Sequence, residues 1–136
     1  VNLKSVFNMT KQVIRPMMKA RKGSIVNMSS IIGIRGNAGQ SSYAASKAGL
    51  IHMTKRMALR LAKDKISVSA IAPGAFASEM NKLARDHGDA ISTQIPAGRI
   101  GTPEDMAGAA IYLASRAGDY VVGSTVVVDG GVTYAR

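Results

Sequence analysis

The sequence contains no cysteine, which excludes disulfides and thiolate-ligated metal sites. Its histidines, His52 and His87, lie far apart without carboxylates clustered around them, so we expect no structural metal. No apolar run reaches the roughly 20 residues that span a bilayer. The first residues also lack the basic, apolar and small order of a secretory signal. We therefore expect a soluble cytoplasmic protein with no membrane partner.

Acidic residues are missing from the first half of the chain. Residues 1–63 contain twelve Lys or Arg and no Asp or Glu, and all eight acids lie from Asp64 onward. Such a basic half can face nucleic acid, an acidic protein or water. Nucleic acid is not expected, because the chain has only four Tyr, two Phe and no Trp to interleave with the cations. A solvated helical face, or a surface covered by another part of the protein, is the simpler interpretation.

The length of 136 residues and the content of 46% hydrophobic and 19% charged residues are those of one globular domain. Apolar residues recur every three or four positions over residues 3–22, which predicts a helix, and Gly23 is expected to end it as a left-handed cap. Further helices are predicted at residues 43–63, 78–86 and 103–115, and strands at residues 24–30, 66–72 and 124–131. Ser42 and Thr102 are expected to cap two of the helices.

This alternation predicts parallel strands joined by helical crossovers, that is, a doubly wound α/β sheet. Ligands of such sheets bind beyond the carboxyl ends of the strands. One predicted strand ends in Ser29 and Ser30, another ends at Pro73 and Gly74, and we expect the two ends to be neighbours. The long irregular segment 75–100 is expected to serve function, because it exceeds an ordinary connection.

Tyr43 and Lys47 lie four residues apart at the start of a predicted helix, so their side chains share one face. A phenol holds its proton at neutral pH, whereas an adjacent cation favours the phenolate. Ser30 can hold a substrate oxygen where the phenol can protonate it, which would make a carbonyl site. In isolation, a tyrosine and a lysine at this spacing are more often a surface pair.

The sequence resembles the short-chain dehydrogenase/reductase family in four features taken together. These are the strand that ends in serine, the glycine-containing loop after it, the run YAASK from Tyr43 to Lys47, and the strand that ends in Pro-Gly. The similarity runs through nearly all of the chain and is closest to the branch of 3-oxoacyl-acyl-carrier-protein reductases. It implies a Rossmann fold and hydride transfer between NADP or NAD, with NADP preferred, and a carbonyl or alcohol. A 3-oxoacyl thioester is the best substrate prediction.

The resemblance also implies the site residues. Ser30 would orient the substrate oxygen, Tyr43 would exchange its proton, and Lys47 would favour the phenolate and bind the nicotinamide ribose. The opening VNLKSVF is similar to the segment that holds the family asparagine, so Asn2 would hold a relay water. The cofactor would contact Tyr43, Lys47, the Pro-Gly end of the second strand and the loop after that strand. The implied loop contacts are Pro73, Gly74, Phe76 and Ser78, the last standing where relatives often carry threonine.

One expected feature of the family is absent, since the TGxxxGxG phosphate-binding turn does not occur in the sequence. The glycines at 33, 36 and 39 precede a loop at the wrong spacing and are interpreted as loop glycines. Val1 is not a methionine. We therefore expect residues 1–136 to be the C-terminal portion of a single Rossmann-type domain, inactive when isolated.

The resemblance implies a homo-oligomer, a tetramer or dimer formed through the two long helices and the last strand. Arg21 and Lys22 could dock an acidic acyl carrier protein, although a solvated face explains them equally well. Asp129 is expected to be structural. The alternative function is a non-catalytic Rossmann-like binding module, or an inactive fragment, with a basic interaction face.

Overall fold

The computed structural model describes residues 2–135 of the chain. The helices are α1 (Asn2–Ala20), α2 (Ser41–Leu61), α3 (Lys82–Asp86), α4 (Gly88–Ser92) and α5 (Pro103–Ala114), and the strands are β1 (Gly23–Met28), β2 (Ile66–Pro73) and β3 (Thr125–Val128). Short 3-10 turns occupy Ile31–Gly33, Ala62–Asp64 and Arg116–Gly118. Among the described residues, no helix is both long and apolar enough to cross a bilayer.

The three strands form a parallel sheet in the order β1-β2-β3, which confirms the predicted α/β alternation. Gly23 of β1 pairs with Ile66 of β2, and Ala70 of β2 pairs with Thr125 of β3. The central strand β2 is buried from residue 66 to residue 72. This burial explains why β2 is made of apolar and small residues throughout, since a strand between two layers of helices has no solvent face.

Helices cover both faces of the sheet. On one face, Asn27 of β1 donates from Nδ2 to Thr54 Oγ1 of α2 at 3.0 Å, and both residues are buried. On the other face, Ser24 donates from Oγ to the carbonyl of Leu113 in α5 at 3.2 Å. Because side chains alternate along a strand, residues 24 and 27 of β1 point to opposite layers. The sheet therefore presents one edge, the carboxyl edge, as the place where polar side chains can meet a ligand.

Two of the predicted caps are wrong. Arg21, at φ 54°, takes the left-handed conformation that was expected of Gly23, which instead begins β1 against the side chain of Met17. The second long helix begins at Ser41, so Ser42 lies inside its first turn. The N-cap is Gln40, also at φ 54°, with no side-chain capping bond. In both places the left-handed residue lies two positions before the residue that the sequence preferences indicate.

Thr102 is confirmed as the cap of α5. Its Oγ1 accepts from the amide of Asp105 at 3.3 Å, and the Asp105 carboxylate accepts from the amide of Thr102 at 2.8 Å, which is a capping box. Arg99 also binds this carboxylate at 2.7 Å and, with the two bonds from Thr102, holds the pKa of Asp105 well below its usual value. The irregular segment before this cap contains α3 and α4 where the pattern predicted one helix over residues 78–86.

Candidate active site

The ends of β1 and β2 meet at the carboxyl edge of the sheet. The amide of Ser29, directly after β1, donates to the carbonyl of Ile71 in β2 at 2.8 Å. Pro73 is the last residue of β2, and the amide of Gly74 donates to the carbonyl of Val128 in β3 at 2.9 Å. The predicted proximity of the serine pair and the Pro-Gly pair is therefore confirmed.

Ser30 caps the 3-10 turn that follows β1. Its backbone is extended, at φ −166° and ψ 154°, and its Oγ accepts from the amide of Ile32 at 3.2 Å. As an acceptor in this bond, the hydroxyl keeps its own proton for donation. The turn packs against α2, which carries the tyrosine and lysine. Ser30 is thus a buried hydroxyl at the strand end, on the segment that faces the start of α2.

Tyr43 and Lys47 occupy the first two turns of α2, and both are partly buried. The Lys47 ammonium lies over the Tyr43 ring, with 5.7 Å between Nζ and the ring centroid. A cation at this distance from an aromatic face is within the range of a cation–π contact. The four-residue spacing therefore brings the two side chains together on one face of the helix.

The Lys47 ammonium also binds the strand end, since Nζ donates to the carbonyl of Met28 at 2.8 Å. Burial lowers the pKa of Lys47 below its ordinary value, because the charged form loses water contacts. An ammonium has three N–H donors, and one carbonyl uses one of them. Lys47 therefore retains donors for a ligand at the carboxyl edge.

The last residue of β2 and the loop after it supply the four cofactor contacts that were predicted besides Tyr43 and Lys47. Pro73 pairs with Val128 in the sheet register, and the Phe76 ring packs against Gly101, with which Phe76 also forms a parallel bridge. Ser78 is exposed, and its Oγ accepts from the amide of Asn81 at 3.0 Å. The loop is therefore held at its start by the sheet and at Phe76 by a second backbone segment.

Gly74 allows a close approach that any larger residue would prevent. A Cβ built on Gly74 would lie 2.6 Å from the Cβ and 2.9 Å from the Cα of Asp129. We expect Gly74→Ala to lower the free energy of unfolding by about 1–3 kcal/mol, because overpacking moves backbone atoms. Gly108→Ala is the matched control: no atom lies within 4 Å of its Cβ position, and its place inside α5 predicts a gain of about 0.5–1 kcal/mol. Chemical denaturation of both variants measures the difference, and equal losses would contradict the prediction.

Two further residues hold this edge together, and sequence reasoning anticipated only one of them. Asp129, expected to be structural, accepts from the amides of Gly131 at 2.9 Å and Thr133 at 2.7 Å, which fixes the C-terminal segment. Arg35, on the loop after β1, donates to the carbonyl of Val132 in that segment at 3.2 Å. The Asp-Gly-Gly run signals a turn, but nothing local in the sequence pairs it with Arg35.

Other residues considered for the site are not among the contacts of Tyr43 and Lys47 that the structure describes. The side chain of Asn2 is outside what the structure describes, so its relay role stays a prediction. His52 and His87 are both exposed. A cavity of about 540 Å³ lies beside Phe76 and the C-terminal segment, and neither Ser30, Tyr43 nor Lys47 lines it. The chemistry-bearing side chains therefore gather at the strand ends and not in this cavity.

Comparisons with known proteins agree with the predicted fold. A family model described as enoyl-(acyl carrier protein) reductase matches residues 1–133. The 3-oxoacyl-acyl-carrier-protein reductase of Thermotoga maritima is 49% identical over 97% of this chain and 54% of its own length, and that of Rickettsia bellii is 46% identical over 97% and 55%. The chain spans about half the length of the curated relatives it matches.

Solved structures are similar over the same region. A gluconate 5-dehydrogenase from Burkholderia cenocepacia, in complex with NADP and tartrate, superposes with a TM-score of 0.93 at 38% identity, covering 100% of this chain and 55% of that one. The NADP complex of RhlG from Pseudomonas aeruginosa gives a TM-score of 0.89 at 35% identity, covering 98% and 57%. The Rossmann-type arrangement of these solved structures over the matched region is therefore the arrangement of this chain.

Proposed function

Because the chain belongs to the short-chain dehydrogenase/reductase family, we propose that it carries the proton-transfer site of an NAD(P)-dependent reductase acting on a carbonyl or alcohol. The observation that carries the proposal is the placement of Lys47, whose ammonium lies over the Tyr43 ring and is tied to the end of β1. The hydroxyl of Ser30 follows that strand end by two residues. A donor, a proton carrier and a cation thus share the edge where such sheets bind ligands.

Each side chain has a distinct role in this proposal. The Ser30 hydroxyl donates to the substrate oxygen and holds it near the phenol. Tyr43 gives its proton to that oxygen during reduction and takes it back during oxidation. The Lys47 ammonium stabilises the phenolate left behind, because an adjacent cation favours the charged form. Asn2 is proposed to hold the water that returns the proton.

The residues present fit a nicotinamide cofactor. The donors that Lys47 retains suit the hydroxyls of a ribose, and Tyr43 adds a further polar contact. The nicotinamide, when bound, exchanges a hydride with the substrate carbon. Pro73, Gly74 and Phe76 are proposed to line its ring, and Ser78 to add a hydroxyl. NADP is preferred to NAD, since both of the similar solved structures are described with NADP.

The substrate class follows from the named relatives, and we propose a 3-oxoacyl thioester. The test follows reduced-nicotinamide absorbance in the natural full-length protein, with NADPH and NADH, on a 3-oxoacyl thioester and on a keto sugar acid. Oxidation of NADPH by the thioester is expected. Turnover of the keto acid alone would contradict the thioester and indicate a sugar acid as the substrate. No turnover with either substrate would overturn the proposed reductase.

We propose that the thioester is delivered by an acidic carrier protein. Lys22 is exposed beside Arg21, and Arg21 donates to the carbonyl of Lys63 and lies 3.8 Å from Asp64. This surface is cationic and only partly neutralised by that carboxylate. An acidic partner bound there is attracted through solvent, where salt screens charges beyond about 10 Å at 0.1 M.

Changing the salt concentration should therefore affect docking of the carrier protein and leave the chemical step unchanged. The KM for a carrier-bound substrate is expected to rise with salt and to rise in Lys22→Ala, whereas the KM for the same acyl group on a small thiol should change in neither case. Steady-state kinetics at two salt concentrations checks this result. Equal salt dependence for both substrates would rule out docking on this surface.

A homo-oligomer working in the cytoplasm, where soluble nicotinamide cofactors are found, completes the proposal. Phe7 of α1 and Leu59 of α2 are 52% and 76% exposed. Large apolar side chains exposed on both long helices suit a surface that another chain covers. Sedimentation of the natural protein measures its oligomeric state, and a monomer would contradict this part.

A further inference from the structure

Ser29 and Ser30 are adjacent, yet the structure gives their hydroxyls different partners. Both residues are buried, and the extended backbone at Ser30 sends neighbouring side chains to opposite sides. Ser29 donates from Oγ to the carbonyl of Lys47 at 2.9 Å. The Ser29 hydroxyl is therefore committed to the helix, whereas the Ser30 hydroxyl keeps its proton for a ligand.

Lys47 is held to the end of β1 at two points. Its carbonyl accepts from Ser29, and its ammonium donates to the carbonyl of Met28, the residue just before Ser29. Ser29 thus holds the backbone of Lys47, and the neighbouring residue Met28 holds its side chain. They fix both the position of the helix and the direction in which the lysine side chain extends.

Gly33 contacts the Lys47–Ala48 peptide, whose carbonyl accepts from Ser29. A Cβ on Gly33 would lie 2.7 Å from the carbonyl carbon of Lys47 and 2.8 Å from the amide nitrogen of Ala48, closer than real Cβ atoms approach. Gly33 ends the 3-10 turn whose cap is Ser30. The turn that sets the position of Ser30 therefore lies directly on the backbone of Lys47.

The contacts of Ser29 and Gly33 converge on the Lys47–Ala48 peptide, although of its two residues only Lys47 carries proposed chemistry. Holding a partly buried ammonium has a cost, seen in the lowered pKa of Lys47. A packing role alone would be served by an apolar residue. The convergence is explained if the position of this peptide relative to the strand end determines the rate of the reaction.

We propose that Ser29 and Gly33 are positioning residues, which clamp the Lys47–Ala48 peptide to the end of β1 and so set the spacing of Ser30, Tyr43 and Lys47. The inference rests on the proposed function, since it concerns the geometry of that same site. A shift of about 1 Å in a reacting group can change a rate by about 100-fold. The clamp acts through the placement of the helix and not by touching substrate.

The first test is a pair of serine variants. Ser29→Ala removes the bond to Lys47, and Ser24→Ala removes the equivalent hydroxyl-to-carbonyl bond at the far end of the same strand, to Leu113 at 3.2 Å. In single-turnover oxidation of bound NADPH, the rate constant does not depend on the folded fraction of the sample. Ser29→Ala is expected to lower this constant about tenfold, with the KM for the carbonyl substrate nearly unchanged, and Ser24→Ala to leave it at the wild-type value.

The second test is a pair of glycine variants on one loop. Gly33→Ala forces the Lys47–Ala48 peptide to move, whereas Gly36→Ala meets no atom within 4 Å and no left-handed φ. Gly33→Ala is expected to lower the single-turnover rate constant about 100-fold and Gly36→Ala to leave it unchanged. Equal rate constants in the two glycine variants, or a wild-type rate constant in Ser29→Ala, would overturn the clamp.

Hydrogen exchange without cofactor provides a readout that needs no activity. Ser29→Ala is expected to speed amide exchange in residues 41–51 and to leave residues 66–72 unchanged. Faster exchange in both segments would indicate general destabilisation and contradict the proposed clamp.

If the wild type oxidises NADPH and Tyr43→Phe does not, the proposed function stands whatever the clamp variants show. If the wild type oxidises no NADPH, the proposed function fails, and the clamp as a catalytic device fails with it.

Discussion

Replacing Tyr43 with phenylalanine is expected to lower kcat by about 10²- to 10⁴-fold, the usual contribution of a positioned proton donor. Phenylalanine keeps the ring over which the Lys47 ammonium lies and removes only the hydroxyl. The fold is therefore expected to be preserved, and the affinity for the cofactor to fall only by the one contact of the lost hydroxyl, about 0.5–1.5 kcal/mol. Steady-state reduction of the thioester measures kcat, and quenching of bound NADPH fluorescence measures affinity.

The matched control for this variant is Tyr120→Phe. Tyr120 is fully exposed just before β3, so loss of its hydroxyl should change neither kcat nor affinity. A Tyr43→Phe protein that keeps more than about a tenth of wild-type kcat would remove Tyr43 from the chemistry, because a proton donor contributes at least about 100-fold. Its role would then be limited to packing beside Lys47.

Lys47→Met is expected to weaken cofactor binding about 10- to 100-fold, since a hydrogen bond from a charged donor is worth about 1.5–3 kcal/mol. Methionine nearly matches the length of lysine but carries no charge. Turnover at saturating cofactor should also fall, because the phenolate of Tyr43 loses its adjacent cation. The two losses are separated by measuring the Kd for NADPH and the single-turnover rate constant.

Lys55→Met is the control on the same helix, eight residues further along and exposed. It should leave both the Kd for NADPH and the rate constant unchanged. If Lys47→Met lowered only the melting temperature, as loss of the bond to Met28 alone would do, the lysine would be structural. Comparison with Lys55→Met distinguishes that outcome from a general effect of lost charge.

The elements of the fold could be predicted because their signals are local. The three-and-four spacing of α1, the apolar run of β2 and the capping box at Thr102 each express a preference of a short segment. The parallel sheet then follows, since strands alternating with helices need crossovers. The wrong caps at Gly23 and Ser42 show the limit of such signals. The left-handed backbone occurs at Arg21 and Gln40, residue types that do not favour it, so no local preference indicates it.

The candidate site was predictable in part for a related reason. Tyr43 and Lys47 share a helix face at a fixed spacing, and Ser30 lies at a strand end, so their proximity follows from secondary structure. The contacts of Ser29 and Gly33 with Lys47 join residues 14 to 18 positions apart in the chain across a turn whose geometry the sequence does not specify. Arg35, bound to a carbonyl near the C-terminus, is likewise a product of tertiary packing.

The most direct test of the proposed site is the position of the substrate oxygen in a crystal structure of the natural protein with NADP and an alcohol product. The distances from that oxygen to the Tyr43 hydroxyl and to Ser30 Oγ decide the matter. Both are expected to lie within hydrogen-bond reach, at about 2.6–3.2 Å. An oxygen bound outside the reach of Tyr43, with the cofactor in place, would contradict the proposed proton transfer.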